Sequence, residues 1–205
     1  MILAMILTAA DVDPALLKAL ADHDERMEKF LDAHEVTIDA VVRELDGDGK
    51  LLKKTSSKLK QKRVNGKLKT TVISADDVAE EQKQADERDE KNERTESPFA
   101  ARNQSKYHFK SLGPGQIGFE PKGEKTDRVF GGVAVVDPKA GEVVTITMTP
   151  AKLPMFADEM RVELAYENHT ASGRNISRFM MVGAGGILFI KRRGDLTMTF
   201  TFGRE

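Results

Sequence analysis

From residue 106 to residue 202 the chain is a near-unbroken series of segments that alternate apolar and polar side chains, with no helical spacing between them. Residues 106–112 carry Tyr107 and Phe109, residues 116–121 read QIGFEP, and residues 129–137 read VFGGVAVVD. After the turn residues Pro138-Lys139-Ala140-Gly141, residues 142–149 read EVVTITMT, with Val144, Ile146 and Met148 opposed to three threonines. Met160, Val162, Leu164 and Tyr166 then alternate against Arg161, Glu163 and Glu167. Segments 175–182, 187–192 and 196–202 follow, the last with Leu196, Met198, Phe200 and Phe202 on one side. A parallel pair of strands needs a crossover of a dozen or more residues, usually a helix. Strands this close together therefore pair antiparallel.

Ahead of this region the period differs. Asp13-Pro14 has the form of a helix start, with Asp as N-cap and Pro at the first helical position. Leu16, Leu20, Met27 and Leu31 recur at helical spacing, and Leu17 and Phe30 widen the stripe. Acidic residues Asp22, Asp24, Glu25 and Glu28 fill the other side. This spacing predicts an amphipathic helix of about 20 residues. From Glu35 the period falls to two, with Val36, Ile38, Ala40 and Val42 on one side. Asp46-Gly47-Asp48-Gly49 predicts a turn rather than a calcium loop, whose sixth position needs Gly and is here Leu51. Residues 51–64 and 67–74 are joined by Asn65-Gly66, the strongest two-residue hairpin signal.

Charge is divided unevenly along the chain. Residues 51–75 hold Lys53, Lys54, Lys58, Lys60, Lys62, Arg63, Lys67 and Lys69 and no acid. Residues 76–96 reverse the sign, with ten acids against four bases. The only apolar side chains there are Val78, Ala79 and Ala85, which predicts a solvated helix or a disordered insertion. The Lys53–Lys69 hairpin has three readings: a solvated edge guarded by lysine, a partner for the acidic insertion, or a contact for an anionic membrane surface or acidic partner. The whole chain has 32 basic and 33 acidic residues, a balance that argues against a nucleic-acid binder.

Several chemistries are excluded. With no cysteine there is no disulfide, thiolate catalysis or Cys-ligated metal. The four histidines, His23, His34, His108 and His169, have no zinc-helix spacing, so no metal or cofactor is expected. Gly183-Ala184-Gly185-Gly186 lacks the Lys-Ser/Thr of a phosphate loop and reads as turns or a bulge. No nucleophile elbow occurs. Catalytic residues are therefore not expected. Residues 1–10 read MILAMILTAA, the length of a signal-peptide core with small residues at its end. Export with removal of about the first ten residues is expected; the alternative is an apolar N-terminal arm packed on the domain of a cytoplasmic protein.

The expected fold is α+β. It is a strongly curved antiparallel sheet, an unclosed β-barrel of about ten strands, with the N-terminal helix on its concave side. A closed up-and-down barrel is the alternative. One helix cannot fill so broad a face, and Met148, Met155, Met160, Met180, Met181 and Met198 suit an adaptable apolar surface. Ordinary core packing is the competing account of those methionines. Strand parity sends Ile146, Met148, Val162, Leu164, Met198 and Phe200 to one face, where they are expected to line a single apolar ligand cavity.

The helix running into a polar hairpin, the QIGFEPKGE turn, the VAVVDPKAGEVVTITMTP hairpin and the closing DLTMTFTF strand together resemble the bacterial periplasmic lipoprotein-carrier superfamily, the LolA-like proteins. The resemblance covers residues 14–205 by element order. The charged segment 76–96 stands where the family has an aspartate-glycine hairpin and an aromatic pair. What the resemblance implies is one domain over residues 11–205, a periplasmic location, and a helical lid over a cavity that holds the acyl chains of a lipid or an acylated protein, without catalysis. The alternative is a cell-envelope interaction or regulatory protein on the same scaffold, holding a peptide or no ligand.

Overall fold

The computed structural model describes residues 10–65, 67–91, 97–187 and 190–203. β1 (Ala10–Asp11) leads into α1 (Pro14–Ala33). Two hairpins follow, made by β2 (Val36–Asp46), β3 (Leu51–Val64) and β4 (Lys67–Ala75). Helices α2 (Val78–Lys91) and α3 (Ala101–Gln104) separate these from the second half. There β5 (Tyr107–Gly113), β6 (Gln116–Pro121), β7 (Phe130–Asp137), β8 (Glu142–Pro150) and β9 (Ala157–Ala165) run as a meander. β10 (Asn168–Thr170) and β11 (Gly173–Asn175) form a small hairpin of their own, and β12 (Arg178–Ile187) and β13 (Ile190–Phe202) come last.

One antiparallel sheet takes the order β1-β5-β6-β7-β8-β9-β12-β13-β2-β3-β4. β1 contributes two residues, so ten strands carry the sheet. Its end strands β1 and β4 do not pair with each other among the described residues, so the barrel is open rather than closed. The two halves of the chain are joined through β13, where Met198, Phe200 and Phe202 stand opposite Ala40, Ile38 and Val36 of β2.

α1 begins where the Asp13 carboxylate accepts the Ala15 N–H at 2.8 Å. It ends at His34, whose backbone N–H donates to the Phe30 carbonyl at 3.0 Å and whose ring stacks on Phe30. The helix lies across the strands. Near its start Leu16, Leu17 and Leu20 pack on the core formed by β6 to β9. Near its end Phe30 meets Phe202 edge-on at 5.4 Å, and Asp32 pairs with Arg63 of β3 at 2.6 Å. β8 and β3 are five strand steps apart, roughly 24 Å along a flat sheet. A helix of 20 residues spans about 30 Å. The helix is thus long enough to cross the strands from β8 to β3.

The core is in two parts. The larger holds Leu20, Phe99, Ile117, Phe119, Ile146, Met148, Val162, Leu164 and Tyr166. Phe99 precedes α3 and reaches inward between Phe109 and Phe119, with ring centroids 5.6 and 6.0 Å away. Burying one such ring contributes roughly 1.5–3 kcal/mol. The smaller part is Val36, Ile38 and Leu59, with Val72, Met198, Phe200 and Phe202 against it.

Two expectations are corrected. Residues 190–192 and 196–202 belong to one strand, β13, whereas Ile187 ends β12. Of the two readings of the glycines 183–186, turns or a bulge, the bulge is the one found, within a continuing β12. Glycine in extended conformation keeps its ladder bonds, and only a bulge at Ala184/Gly185 marks the run. The acidic segment contains a helix that does have an anchor. Ala85 of α2 is 1% exposed against the sheet edge. Gln82 donates to the Thr70 carbonyl at 3.1 Å and accepts the Val72 N–H at 2.9 Å. Those are the two groups an adjoining strand would meet. Residues 1–9 of the expected leader, Gly66 of the hairpin signal and residues 92–96 lie outside the described residues. Ala10, counted with the leader, pairs with Ser111 of β5.

Candidate functional site

Cross-strand partners share a face, so the register maps the inner surface row by row. One row reads Ala134, Ile146, Leu164, Phe179, Met198, Ala40 across six strands. The next reads Met148, Val162, Met181, Leu196, Val42. In the row after that, Met160 is followed by Gly183, Gly194 and Glu44. Two adjacent strands therefore place glycine against glycine where the pattern has apolar side chains. The missing side chains leave a trough in the sheet. α1 crosses the other end of these strands, where Phe30 meets Phe202, so the trough stays open.

The result is a groove of about 950 Å³. Val42, Met160, Met181 and Leu196 form its apolar lining, with Gly183, Gly185 and Gly194 on the floor and Met155 and Phe156 at the mouth. This is within the size range of small-molecule sites, which are mostly apolar with a few polar groups. The charged residues along it are Glu44, Glu159, Asp195, Arg192 and Arg193, and the charged ends of Glu44 and Arg192 are 3.8 Å apart. Parity puts Arg192 on the groove side with Gly194 and Leu196. It can pair with an anionic headgroup by exchanging Glu44 for it.

The six residues expected to line one cavity share one face, but the packing separates them. Ile146, Met148, Val162 and Leu164 are buried beneath α1 in the larger core. Met198 and Phe200 are half-buried in the smaller cluster. None of the six is among the residues that line the groove. The groove begins at the next side chain along: Met181 stands directly between Val162 and Leu196. Parity identified the face, while the position of the helix decides which part of the face is core. The signal that points to the groove is the glycine run at residues 183–186 falling on an apolar parity.

A second polar cluster fastens the helix to the β10–β11 hairpin. His23 Nε2 donates to the Arg174 carbonyl at 2.8 Å, which fixes the proton on Nε2 when the ring is neutral. Burial lowers the His23 pKa from its ordinary value and raises that of neighbouring Asp24. Asp24 accepts a hydrogen bond from Ser97. Asn175 donates to Thr170 Oγ1 at 2.7 Å and Ser172 Oγ at 2.6 Å. Gly173 has φ 101° and passes so close to the Glu142 carboxylate that a side chain there would collide with it. The cluster is thus a latch that ties α1 to the β10–β11 hairpin. Among the described residues no group of His, Asp and Glu is arranged to hold a metal ion.

Compared with known proteins, the chain matches no family model and no curated protein.

Proposed function

We propose that this protein is a non-enzymatic carrier or binding protein for a lipid or acylated molecule, acting in the periplasm. The observation that carries this reading is the trough over the Gly183–Gly194 pair. An apolar hollow open at one end, with an arginine at its side, suits an acyl chain with an anionic head. Each methylene removed from water contributes about 0.8 kcal/mol. The LolA-like resemblance and the apolar start of the sequence support the same reading and the same location.

The test fills the trough. An ideal Cβ on Gly183 comes no nearer than 3.6 Å to Glu159 O, and one on Gly194 no nearer than 3.5 Å to Arg43 O. Gly183→Leu and Gly194→Leu are expected to fold, as circular dichroism checks, and to lose uptake of a fluorescent fatty acid. Native mass spectrometry of the wild type made in bacteria is expected to show bound lipid. A clean apo mass together with no probe uptake overturns the carrier. The envelope interaction reading then leads, with the exposed Lys62 and Lys69 as its surface for an acidic partner.

A further inference from the structure

The groove has an unusual mouth. In the loop 151–156, Met155 is 82% exposed and Phe156 is 60% exposed, and Leu153 is exposed beside them. Isolated apolar residues on a surface need no explanation, but a contiguous group marks a partner or membrane site. This loop is also held firmly. Ala151 N–H donates to the Val129 carbonyl at 2.7 Å, and Gly186 N–H donates to the Phe156 carbonyl at 3.0 Å. Phe156 has φ 68°, a left-handed conformation that is unfavourable for a bulky residue and concentrates at functional sites. Tethered backbone thus presents two large apolar side chains to solvent.

We propose that loop 151–156 docks the groove mouth on an anionic lipid surface, so that an acyl chain passes from bilayer to groove without crossing water. The proposal rests on the lipid-carrier reading. The register places a second apolar pair at the same end of the sheet. Leu51 and Leu52 are exposed where β3 begins, beside the Asp46–Arg192 pairing of β2 and β13. Charge favours an anionic membrane. Lys152 lies in the loop, Lys191 and Arg193 flank Arg192 at the start of β13, and Lys50, Lys53 and Lys54 flank Leu51 and Leu52. None of these six has an ion-pair partner among the described residues, and all are exposed. Asp158 and Glu159 open β9, and Asp46 and Asp48 sit in the β2–β3 turn, so the preference for anionic over neutral lipid is moderate. Cations around an inserted apolar tip are the usual composition of an interfacial anchor.

The experiment is co-sedimentation with vesicles of phosphatidylcholine alone or mixed with phosphatidylglycerol. Wild type is expected to pellet with the mixed vesicles, less with the neutral ones, and less as salt rises. The double variant Met155→Ser/Phe156→Ser is expected to bind at least about tenfold more weakly while keeping its fold. Gly183→Leu is expected to pellet like wild type while taking up no fatty acid, which separates docking from carriage. Wild type that stays in the supernatant overturns the proposal, as does a double variant that pellets fully. A dimer in size-exclusion chromatography with light scattering that the same two serines dissociate would assign the loop to a second copy instead. Equal binding to both vesicle types also overturns the proposal, because the proposed surface is anionic.

Discussion

The carbonyl oxygen of Phe156 occupies the place where a side chain on Gly185 would start. The contact joins the loop at the groove mouth to the bulge in β12, and Gly186 N–H holds the same carbonyl. Gly185→Ala is therefore expected to push the loop outward and to cost about 1–3 kcal/mol, as overpacking does. Gly183→Ala, two residues away and with room for its Cβ, is expected to change stability by less than about 1 kcal/mol. Urea unfolding of both variants checks this. Equal midpoints would show that the loop does not depend on the approach.

The division between core and groove makes a second contrast. Ile146 is 1% exposed under α1, whereas Leu196 is half-buried along the groove. Ile146→Ala is expected to cost about 2–5 kcal/mol while its folded fraction still binds probe as wild type does. Leu196→Ala is expected to cost less stability and to weaken fatty-acid binding roughly tenfold, from methylenes lost at about 0.8 kcal/mol each. Fluorescence titration beside thermal melting checks both. Loss of binding in Ile146→Ala alone would return the site to the core.

These two positions also show what was legible beforehand. Ile146 and Leu196 both sit on apolar parities, and parity is local, so the shared face could be read from residues alone. Where α1 lies on that face depends on pairs far apart in sequence, Phe30 with Phe202 and Asp32 with Arg63, and no local pattern records them. The start of α1 at Asp13-Pro14 was legible because capping is local chemistry. The seat of α2 was not, because Gln82 and Asp89 hold the edge strand through polar groups, which hydrophobic periodicity does not register.

That seat leads to a third prediction. Gln82 and Asp89 together occupy the backbone groups of Thr70 and the N–H of Val72 on the outer side of β4. Without them the edge presents unpaired donors and acceptors, a template for association between molecules. The double variant Gln82→Ala/Asp89→Ala is expected to speed hydrogen exchange at Thr70 and Val72, with a local loss of about 2 kcal/mol, and to raise light scattering at high concentration. Lys62 stands directly opposite Lys69 on this hairpin, so added salt is expected to offset part of the loss by screening their repulsion. Unchanged exchange at Thr70 and Val72 would mean that α2 leaves the edge freely in solution.

The last prediction concerns the latch under α1. His23 is buried and its pKa is lowered, first by loss of hydration. Arg26 acts in the same direction, and the Arg174 carbonyl, Glu142 and Asp24 act against it. In the unfolded chain the ring has its ordinary value of 6.5. As pH falls through that value the unfolded state takes up a proton that the folded state resists, so stability falls. Above it neither state is charged and His23 contributes no pH dependence. Asp24 works the other way. Its pKa is raised, first by burial, so it binds its proton at higher pH folded than unfolded, and acidification lessens the cost of its buried charge. Over the range in which the folded chain protonates Asp24 the two neighbours therefore oppose each other. His23→Gln keeps a donor for the Arg174 carbonyl and removes the titration. It is expected to flatten the decline in stability between pH 6.5 and about pH 5. Asp24→Asn keeps an acceptor for Ser97 and removes the charge. It is expected to raise the neutral-pH melting temperature, by about 2–4 °C for each kcal/mol gained, and to steepen the acid decline. Melting curves of the two variants and wild type across this window decide the matter. Parallel pH profiles for wild type and His23→Gln would show that the ring protonates in place and that the latch accommodates the charge.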